Sequence, residues 1–564
     1  MGLESKNFRL NMIGGCLLIA VLPVCFAGPL FACVQQSQVS QFGITWTFDK
    51  DYTVGQFANG DYWVVGPVTI IGITPISEDD GAGRIVHGSM LNPSPRSGLA
   101  HGYDSKMYGI YDRGYYNPSL NVARPNGRQL SSSNPLAIQT GSLVSVISIP
   151  ELNPKTDRTE LQTAAILTVL SSPAPEGSFR PPYSGSDKTI KFNKNQLDYS
   201  LLKRLAPVAN TPRLHQRAGD AQADSVERMF ERPWLDHVPG PFGRSAHPLD
   251  NMISYDRDLT TQIGIAALML NLDFDDQKKE TLLVCLVQVG IDNYGVIQDG
   301  GQGNWRSETG RKFPILFAGL ILNNPDMKNI GARSGDYAYT YPYGPDNPPP
   351  DLVEFEEDEE TYYVSQMDID MTHSAAWDPD RRDAQRIPYT SADIGLPEWG
   401  KVRFHDRTAI NKYWATTYRQ VIGHAYSGSV LAMHIMKMKS LWNHDALFDY
   451  KDRYKKVESD WIETSTFVKN MWDAYRTDYG PLWTISPALR ITAMGGSVEK
   501  RPEKAVYTLG EQVRLRAVAD PGYEFTGWLV DLTGKENPNV VTMHANLSIT
   551  ANFSLSERSR EQIK

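Results

Sequence analysis

The sequence has 564 residues, which is enough for several domains of about 100–200 residues each. Hydrophobic residues make up 41% and charged residues 21% of it, as in globular proteins, so disorder and fibrous repeats are excluded for most of the chain. Lys and Arg total 56 against 65 Asp and Glu, which gives a net charge of −9. Nucleic acid is therefore not an expected partner, because phosphate binding needs concentrated positive charge.

The N-terminal segment predicts export from the cytoplasm. Lys6 and Arg9 precede the largely apolar stretch Met12–Phe26, and small residues follow it. This order is typical of a secretory signal peptide, here assigned to residues 1–33. Acylation of Cys33 is a less favoured alternative. We find no second apolar run of the roughly 18 residues that a membrane span needs, so none is expected in the mature chain.

The zone from residue 43 to residue 190 has the pattern of β-strands. Tyr62–Ile71 and Gly141–Ser148 are short apolar runs, and Asn59-Gly60 before the first run is a hairpin-turn signal. Gly, Pro, Ser and Asn interrupt the zone at short intervals, and no long helical period is present. These features predict a β-sandwich-like domain.

The zone from residue 197 to residue 483 has the apolar spacing of helices. Several segments are apolar on more than one face, which predicts helices packed between neighbours. Successive helical hairpins without a detectable sequence repeat favour an (α/α) helical toroid over a solenoid. The predicted helices are Leu259–Leu272, Gln277–Tyr294, Lys312–Leu322, Asn411–Met438 and Leu441–Val457.

Residues 332–401 interrupt the helical zone and are expected to form a long irregular loop. Tyr339 and Tyr341 alternate with small residues there, and they either line a sugar-binding cleft or pair within strands. The acidic run Glu354–Glu360 is expected to be a solvated face. A structural divalent cation such as Ca²⁺ is the less favoured alternative at that run, and no other cofactor is expected.

The zone from residue 488 to residue 554 is a separate β-rich module. It contains Gly495–Val498, then Pro521–Trp528, and it closes with Ile549–Phe553. This string resembles the divergent internalin-B-type bacterial repeat. The resemblance implies a small β module of secreted and surface proteins, often a spacer or an adhesive appendage. The expected location is therefore the periplasm, the cell surface or the medium of a bacterium.

Several classes of enzyme lack their motifs in this chain. There is no phosphate-binding glycine loop, no dinucleotide fingerprint, no His-Glu-x-x-His helix and no Gly-x-Ser-x-Gly elbow. Cys285, the one cysteine after residue 33, lies inside the apolar run Leu282–Val289 and is a poor candidate nucleophile. Nucleotide-dependent and thiol enzymes are therefore excluded, and no metal site is predicted.

A first group of candidate catalytic residues follows Pro248, which suits the first position of a helix. If a helix begins there, His247, Asn251 and Tyr255 are spaced i, i+4 and i+8 and project from about one face. The alternative roles are helix capping and packing.

A second group lies in the helix predicted for residues 411–438. Arg419 and Tyr426 are seven residues apart there, so they can share one face. A guanidinium that neutralises a carboxylate, beside a phenol that takes the adjacent carbon-bound proton, suits β-elimination from a uronic acid. The alternative is a core tyrosine with a surface arginine.

Further residues are candidates for substrate binding, because rings and guanidinium groups near turns or domain junctions can hold sugars and carboxylates. They are Arg180 and Tyr183 at the junction of the first two zones, His237, Trp305 and Arg306 in a Gly-rich loop, and the loop tyrosines Tyr339 and Tyr341.

The helical zone, with aromatic-rich hairpins followed by Leu441–Tyr454, resembles the toroid of alginate-lyase and heparinase-like polysaccharide lyases. In those families an Asn, His or Arg neutralises the uronate carboxylate, and a Tyr or His serves as the base. The chain departs from one alginate-lyase family by lacking its adjacent Asn-Asn-His. The resemblance implies a lyase acting on an anionic polysaccharide. The matching residues are His247, Asn251 and Arg419 for the first role and Tyr255 and Tyr426 for the second.

Two other functions remain open at this point. The first is a glycoside hydrolase on the same scaffold, which needs a pair of carboxylates as acid and base. The second is a non-catalytic glycan-binding surface protein, which the C-terminal repeat favours. The carboxylates available to a hydrolase include Asp236, Asp250, Asp368 and Asp370.

Overall fold

The computed structural model describes residues 34–105, 115–149, 161–214, 226–238, 248, 250, 256–300, 309–333, 353, 355–373, 388–399, 423–457, 465–483, 487–507, 511–543 and 547–556. Within these ranges the chain forms sixteen β-strands and ten α-helices. The strands are β1 (Val34–Gln41), β2 (Ile44–Gln56), β3 (Tyr62–Val65), β4 (Val68–Thr74), β5 (Ser89–Leu91), β6 (Leu136–Ile138), β7 (Gly141–Ser148), β8 (Leu161–Leu170), β9 (Thr361–Tyr363), β10 (Pro397–Trp399), β11 (Leu489–Met494), β12 (Gly496–Arg501), β13 (Gln512–Ala519), β14 (Tyr523–Val530), β15 (Asn539–Thr542) and β16 (Leu547–Leu555). The helices are α1 (Asp256–Leu270), α2 (Asp276–Gln298), α3 (Lys312–Ile321), α4 (Pro325–Lys328), α5 (Glu356–Glu360), α6 (Gln366–Thr372), α7 (Ser427–Ile435), α8 (Lys439–Trp442), α9 (Asp445–Val457) and α10 (Thr466–Tyr475).

Strands β1 to β8 form one eight-stranded sheet in the order β5-β7-β8-β3-β2-β4-β6, with β1 paired to β2. The long strand β2 pairs with three other strands of this sheet. Strand β1 runs along one edge of β2, while β3 and β4 share the other edge at opposite ends. The predicted hairpin turn at Asn59-Gly60 is confirmed, because it joins the antiparallel strands β2 and β3.

The sheet is covered on both faces, and its central strands show why. In β8, Ala164 and Ile166 pack into one core, while the alternate residues Ala165 and Leu167 pack into another, as the two-residue period of a strand dictates. The first core also contains the buried residues of the helices, and the second belongs to the sheet. The predicted β-rich zone is therefore a single sheet, and the helices share one of its two cores.

Glycines allow the helices to pack closely. A Cβ atom added to Gly264 in α1 would lie 2.8 Å from the Cα of Gly428 in α7, and one added to Gly290 in α2 would lie 2.2 Å from the carbonyl oxygen of Pro314 in α3. Any side chain at these positions would force the helices apart. The glycines therefore set the spacing of the helical layer.

The predicted helices are confirmed at α1, α2 and α3, with differences of a few residues at their ends. The segment predicted as one helix from Leu441 to Val457 is two, because Asn443 adopts a left-handed conformation with φ of 58° and ends α8. Within the described residues, α2 is the one helix long and apolar enough to cross a membrane, and 83% of its apolar window is buried inside the protein. A helical toroid is not shown by these helices.

The segment predicted to be an irregular loop is partly structured. Within residues 355–399 it contains α5, α6 and the antiparallel pair of β9 and β10. The expectation of a solvated acidic run is wrong: Glu356, Glu357, Asp358 and Glu360 are all at most 6% exposed. Their partners come from distant parts of the chain, which local composition cannot reveal.

The C-terminal module consists of two three-stranded sheets, β11-β16-β14 and β12-β13-β15. Its own core includes Trp528, Val513 and Ile549. The described residues also place Ser391 of the main body 3.1 Å from the carboxylate of Asp531 in the module. The predicted small β module is thus confirmed as a folded unit with its own hydrophobic centre.

A buried arginine joins the sheet to the helices. The Nε of Arg180 donates to Asp61 in the turn between β2 and β3 at 2.6 Å, and its two terminal nitrogens donate to Asp292 in α2 at 3.0 and 2.5 Å. The arginine side chain is 1% exposed. Burial opposes its charge, but Asp292 and Asp61 outweigh that effect and raise the pKa of Arg180. One guanidinium therefore compensates two buried carboxylates from different layers.

Replacing this arginine tests how much the junction depends on it. We expect Arg180→Ala to lower the free energy of unfolding by about 3–5 kcal/mol, because it leaves buried carboxylates without a counter-charge. The matched control is Arg204→Ala, whose side chain is 55% exposed although it contacts Asp273 and Asp276, and which should cost at most about 1 kcal/mol. Urea denaturation measures both, and equal losses would contradict the assignment.

Candidate active site

Thr309 lies where several distant parts of the chain meet. Its hydroxyl is 2.5 Å from that of Thr260 in the first half of α1. Its carbonyl oxygen accepts a hydrogen bond from Arg311 at 2.8 Å, and Arg311 in turn donates to both carboxylate oxygens of Asp236 at 3.3 and 3.0 Å. Tyr426, just before α7, lies close enough to Thr309 for the threonine to have a small lowering effect on its pKa, although the Tyr426 hydroxyl has no hydrogen-bond partner among the described residues. This set of five residues is called the Thr309 cluster below.

Next to Asp236, a histidine lies between two tyrosines. The Nε2 of His237 is 3.2 Å from the Tyr103 hydroxyl, and the backbone N–H of His237 donates to the Tyr183 hydroxyl at 3.2 Å. Both rings meet the imidazole edge to face, at 74° and 79°. The Arg180 guanidinium lies 6.0 Å from the centre of the Tyr183 ring. Three predicted substrate-binding residues, Arg180, Tyr183 and His237, are thus brought together.

Burial sets the charge state of this group. It lowers the pKa of His237 to about 3, against a smaller opposing effect of Asp236. It also raises the pKa of Tyr103 and, with Asp236 and Asp292, that of Tyr183. The imidazole is therefore neutral and both phenols are protonated at neutral pH. All three side chains are at most 1% exposed.

The acidic run contacts the same region. Glu357 accepts hydrogen bonds from the backbone N–H groups of Gly310 and Lys312, both at 3.3 Å, and so caps the start of α3. Burial and the neighbouring Asp358 raise the pKa of Glu357 to about 7. Asp358 accepts from the Lys312 ammonium and from the indole N–H of Trp442. These contacts explain why the run is inside the protein.

Tyr426 is described, but not in the surroundings predicted for it. It is 1% exposed and immediately precedes α7, which begins at Ser427. Arg419 lies outside the described residues, so the predicted shared helix face of the two residues stays a prediction. Burial and the carboxylates of Glu357, Glu360 and Glu356 raise its pKa, against a smaller effect of Thr309. Its hydroxyl is therefore held firmly in the protonated form.

The expected helix start at Pro248 is also corrected. Pro248 forms a parallel bridge with Leu161 of β8, and the helix begins at Asp256. The described residues Pro248 and Asp250 are not helical, so no helix starts at Pro248. Several predicted site residues lie outside the described residues: His247, Asn251, Tyr255, Arg419, Trp305, Arg306, Tyr339 and Tyr341.

The four carboxylates considered for a hydrolase are engaged in separate places. Asp236 is paired with Arg311, and Asp250 contacts Gln162 and lies 3.7 Å from Arg232. Asp368 accepts from the backbone N–H and the hydroxyl of Ser365, and the exposed Asp370 accepts from Gln366. Each of the four is therefore engaged with a different partner.

The described ranges contain no arrangement of side chains suited to metal or thiol chemistry. No group of three or more His, Cys, Asp or Glu side chains there is placed to hold a metal ion. Cys285 is a free, buried thiol whose pKa is raised by burial and by nearby carboxylates.

Sequence reasoning missed the residues that connect the site. Thr309, Arg311 and Tyr103 belong to no motif, and only folding shows that they contact Asp236, His237 and Tyr426. Glu357 belongs to an acidic run that the sequence shows. The hydrophobic residue Phe355 within that run was the one signal that the run could be buried.

Comparison with known proteins identifies the C-terminal module. Residues 488–557 match the family described as the divergent InlB B-repeat domain. Such a domain suggests a bacterial surface or extracellular protein. No curated protein matches the chain, and no solved structure matches it.

The buried His237 makes stability depend on pH in a defined direction. The unfolded imidazole takes up a proton below its ordinary pKa of 6.5, whereas the folded one does so only near pH 3. Between these values the unfolded state binds more protons, so stability falls as the pH falls, by up to about 1.4 kcal/mol per pH unit.

We expect His237→Gln to remove this contribution while keeping a polar group between the tyrosines. Denaturation between pH 6.5 and pH 4 should show a shallower slope than the wild type. The matched control is His373→Gln, at an exposed position where the imidazole contacts the carbonyl of Ile369. An unchanged slope in His237→Gln would show that this histidine is not held neutral.

Proposed function

We propose that the protein is a polysaccharide lyase that cleaves a uronic-acid polymer by β-elimination. In this scheme Asn251, His247 or Arg419 neutralises the uronate carboxylate, and a tyrosine removes the proton at C5 and returns one to the leaving oxygen. Trp305, Arg306 and the loop tyrosines Tyr339 and Tyr341 would position the sugars.

One observation carries this proposal: the described ends of the segments that bear these residues meet at the Thr309 cluster. Asp236 shortly precedes the segment with His247, and Thr260 shortly follows Tyr255. Thr309 itself follows the segment with Trp305 and Arg306, and Tyr426 follows the segment with Arg419. Their contacts are those given above. Residues from four separate stretches therefore have a common anchor, as an active site assembled from loops requires.

The electrostatic surroundings of Tyr426 suggest different roles for the two candidate tyrosines, Tyr255 and Tyr426. A base must lose its proton, and the carboxylates around Tyr426 oppose that loss. Tyr426 is therefore suited to donate a hydrogen bond or a proton to the leaving oxygen. The base is then Tyr255, which precedes α1 in the sequence. His237, Tyr183 and Tyr103 act as positioning residues that hold Asp236 and Arg311 in place.

The engagement of Asp236, Asp250, Asp368 and Asp370 in separate contacts favours a lyase over the hydrolase built on them. One observation keeps a hydrolase as a second candidate. Glu357 has its pKa raised to about 7 beside Asp358, which is the property that a general acid needs near neutral pH. In that case Glu357 would protonate the glycosidic oxygen.

The location follows the same proposal. A signal peptide over residues 1–33 would export the chain, and the InlB-type module would serve as a spacer or adhesive appendage. Acylation at Cys33 would fix the protein to a membrane. The substrate would be met outside the cytoplasm, where anionic polysaccharides are found in capsules, matrices and cell walls.

The direct test is incubation with alginate, glucuronan, pectate and glycosaminoglycans. Ultraviolet absorbance of an unsaturated uronate and the release of reducing ends are followed in parallel. A lyase gives both signals. Reducing ends without new absorbance would replace this proposal by the hydrolase, and Glu357→Gln should then abolish them. Neither signal on any polymer would favour the binding-protein alternative.

Variants separate the proposed roles once activity is found. Tyr255→Phe should lower kcat by about 10²–10⁴-fold, the usual effect of removing a general base, with little change in KM. Tyr426→Phe should have the smaller effect of losing a donor. Tyr199→Phe, a half-buried tyrosine remote from the Thr309 cluster, is the control. A larger loss in Tyr426→Phe than in Tyr255→Phe would reverse the assignment.

A further inference from the structure

A surface pocket lies beside the sheet–helix junction, apart from the Thr309 cluster. It has a volume of about 210 Å³ and lies between residues 179–192, the C-terminal half of α2 and the start of α4. Phe179 and Ile291 are buried at its base, and Phe192 and Tyr294 are half-buried in its walls. The pocket therefore has an apolar floor and aromatic sides.

The chain that forms one wall is held in place before any ligand binds. Gln288 of α2 accepts from the backbone N–H of Arg180 and donates to its carbonyl oxygen, both at 3.1 Å. The ammonium of Lys188 donates to the carbonyl oxygens of Pro182 and Gly185, each at 2.7 Å. A wall fixed in this way costs little ordering entropy on binding.

The rim of the pocket is polar, with little net positive charge. Thr189, Gln298 and Asp326 are exposed there and offer hydroxyl, amide and carboxylate groups. Lys191 is also at the rim, but its ammonium lies 3.2 Å from the carboxylate of Asp187. With Asp326 added, the rim does not favour a second carboxylate.

We propose that this pocket binds a single neutral pyranose unit of a glycan chain. The apolar face of a sugar ring can lie on the aromatic walls, while amide and carboxylate groups at the rim can accept and donate hydrogen bonds to its hydroxyls. The volume is below the roughly 300–1,000 Å³ of sites for larger ligands, which matches one ring. This inference does not depend on the proposed lyase activity.

The test is ligand-observed NMR titration of the full chain with neutral and uronic-acid oligosaccharides at millimolar concentration. We expect binding of neutral oligosaccharides whose affinity is unchanged by added salt, because no charge pair is involved. Tyr294→Ala should weaken it about 10-fold or more, the equivalent of about 1.4 kcal/mol of lost contact. Tyr294→Phe keeps the ring and should retain most of the affinity.

The control is Tyr199→Ala, which removes a half-buried tyrosine of similar packing elsewhere on the surface. Asp326→Asn should improve the affinity for uronates relative to that for neutral sugars, because it removes a repulsive charge. Tighter, salt-sensitive binding of uronates to the wild type would overturn the inference. Unchanged binding of neutral sugars by Tyr294→Ala, or no binding of neutral sugars by the wild type, would also overturn it. Each result is read without the lyase assay, so failure of one proposal leaves the other standing.

Discussion

The position of Arg180 between Asp61 and Asp292 constrains the rest of the molecule. A guanidinium that is 1% exposed needs both carboxylates, and they come from the sheet and from helix α2. Removing the arginine leaves two buried carboxylates without their counter-charge, which is far costlier than losing a surface ion pair. These contacts tie the sheet to α2 and hold Arg180 between them.

The functional features depend on the segment of chain around Arg180. The hydroxyl of Tyr183 in this segment accepts a hydrogen bond from the backbone N–H of His237. This contact places the neighbouring Asp236 against Arg311, which also donates to the carbonyl oxygen of Thr309. On the other side, Phe179 and Pro182 line the surface pocket. The same few residues thus connect the buried polar network with a site open to ligands. The two cores of the sheet add the apolar burial that holds this interface closed.

Local patterns predicted what is determined locally. The turn at Asn59-Gly60, strand β7, helices α1 to α3 and the C-terminal module follow from periodicity and turn residues. Tertiary contacts decided the rest: the acidic run is buried because the start of α3, Lys312 and Trp442 meet it, and Pro248 pairs with Leu161 instead of starting a helix. Tyr183 and His237 were each visible as candidates, but their contact across 54 residues was not.

The central claim is that the sheet and the helices form one cooperative body, whose shared core and Arg180 link support the site. Native-state hydrogen exchange tests it most directly, because it gives an opening free energy for each segment. The amides of β8 and of the middle of α2 should exchange at one common free energy, and Arg180→Ala should lower both together. Exchange of β8 at a clearly lower free energy than α2, with only one of them affected by the substitution, would contradict the account.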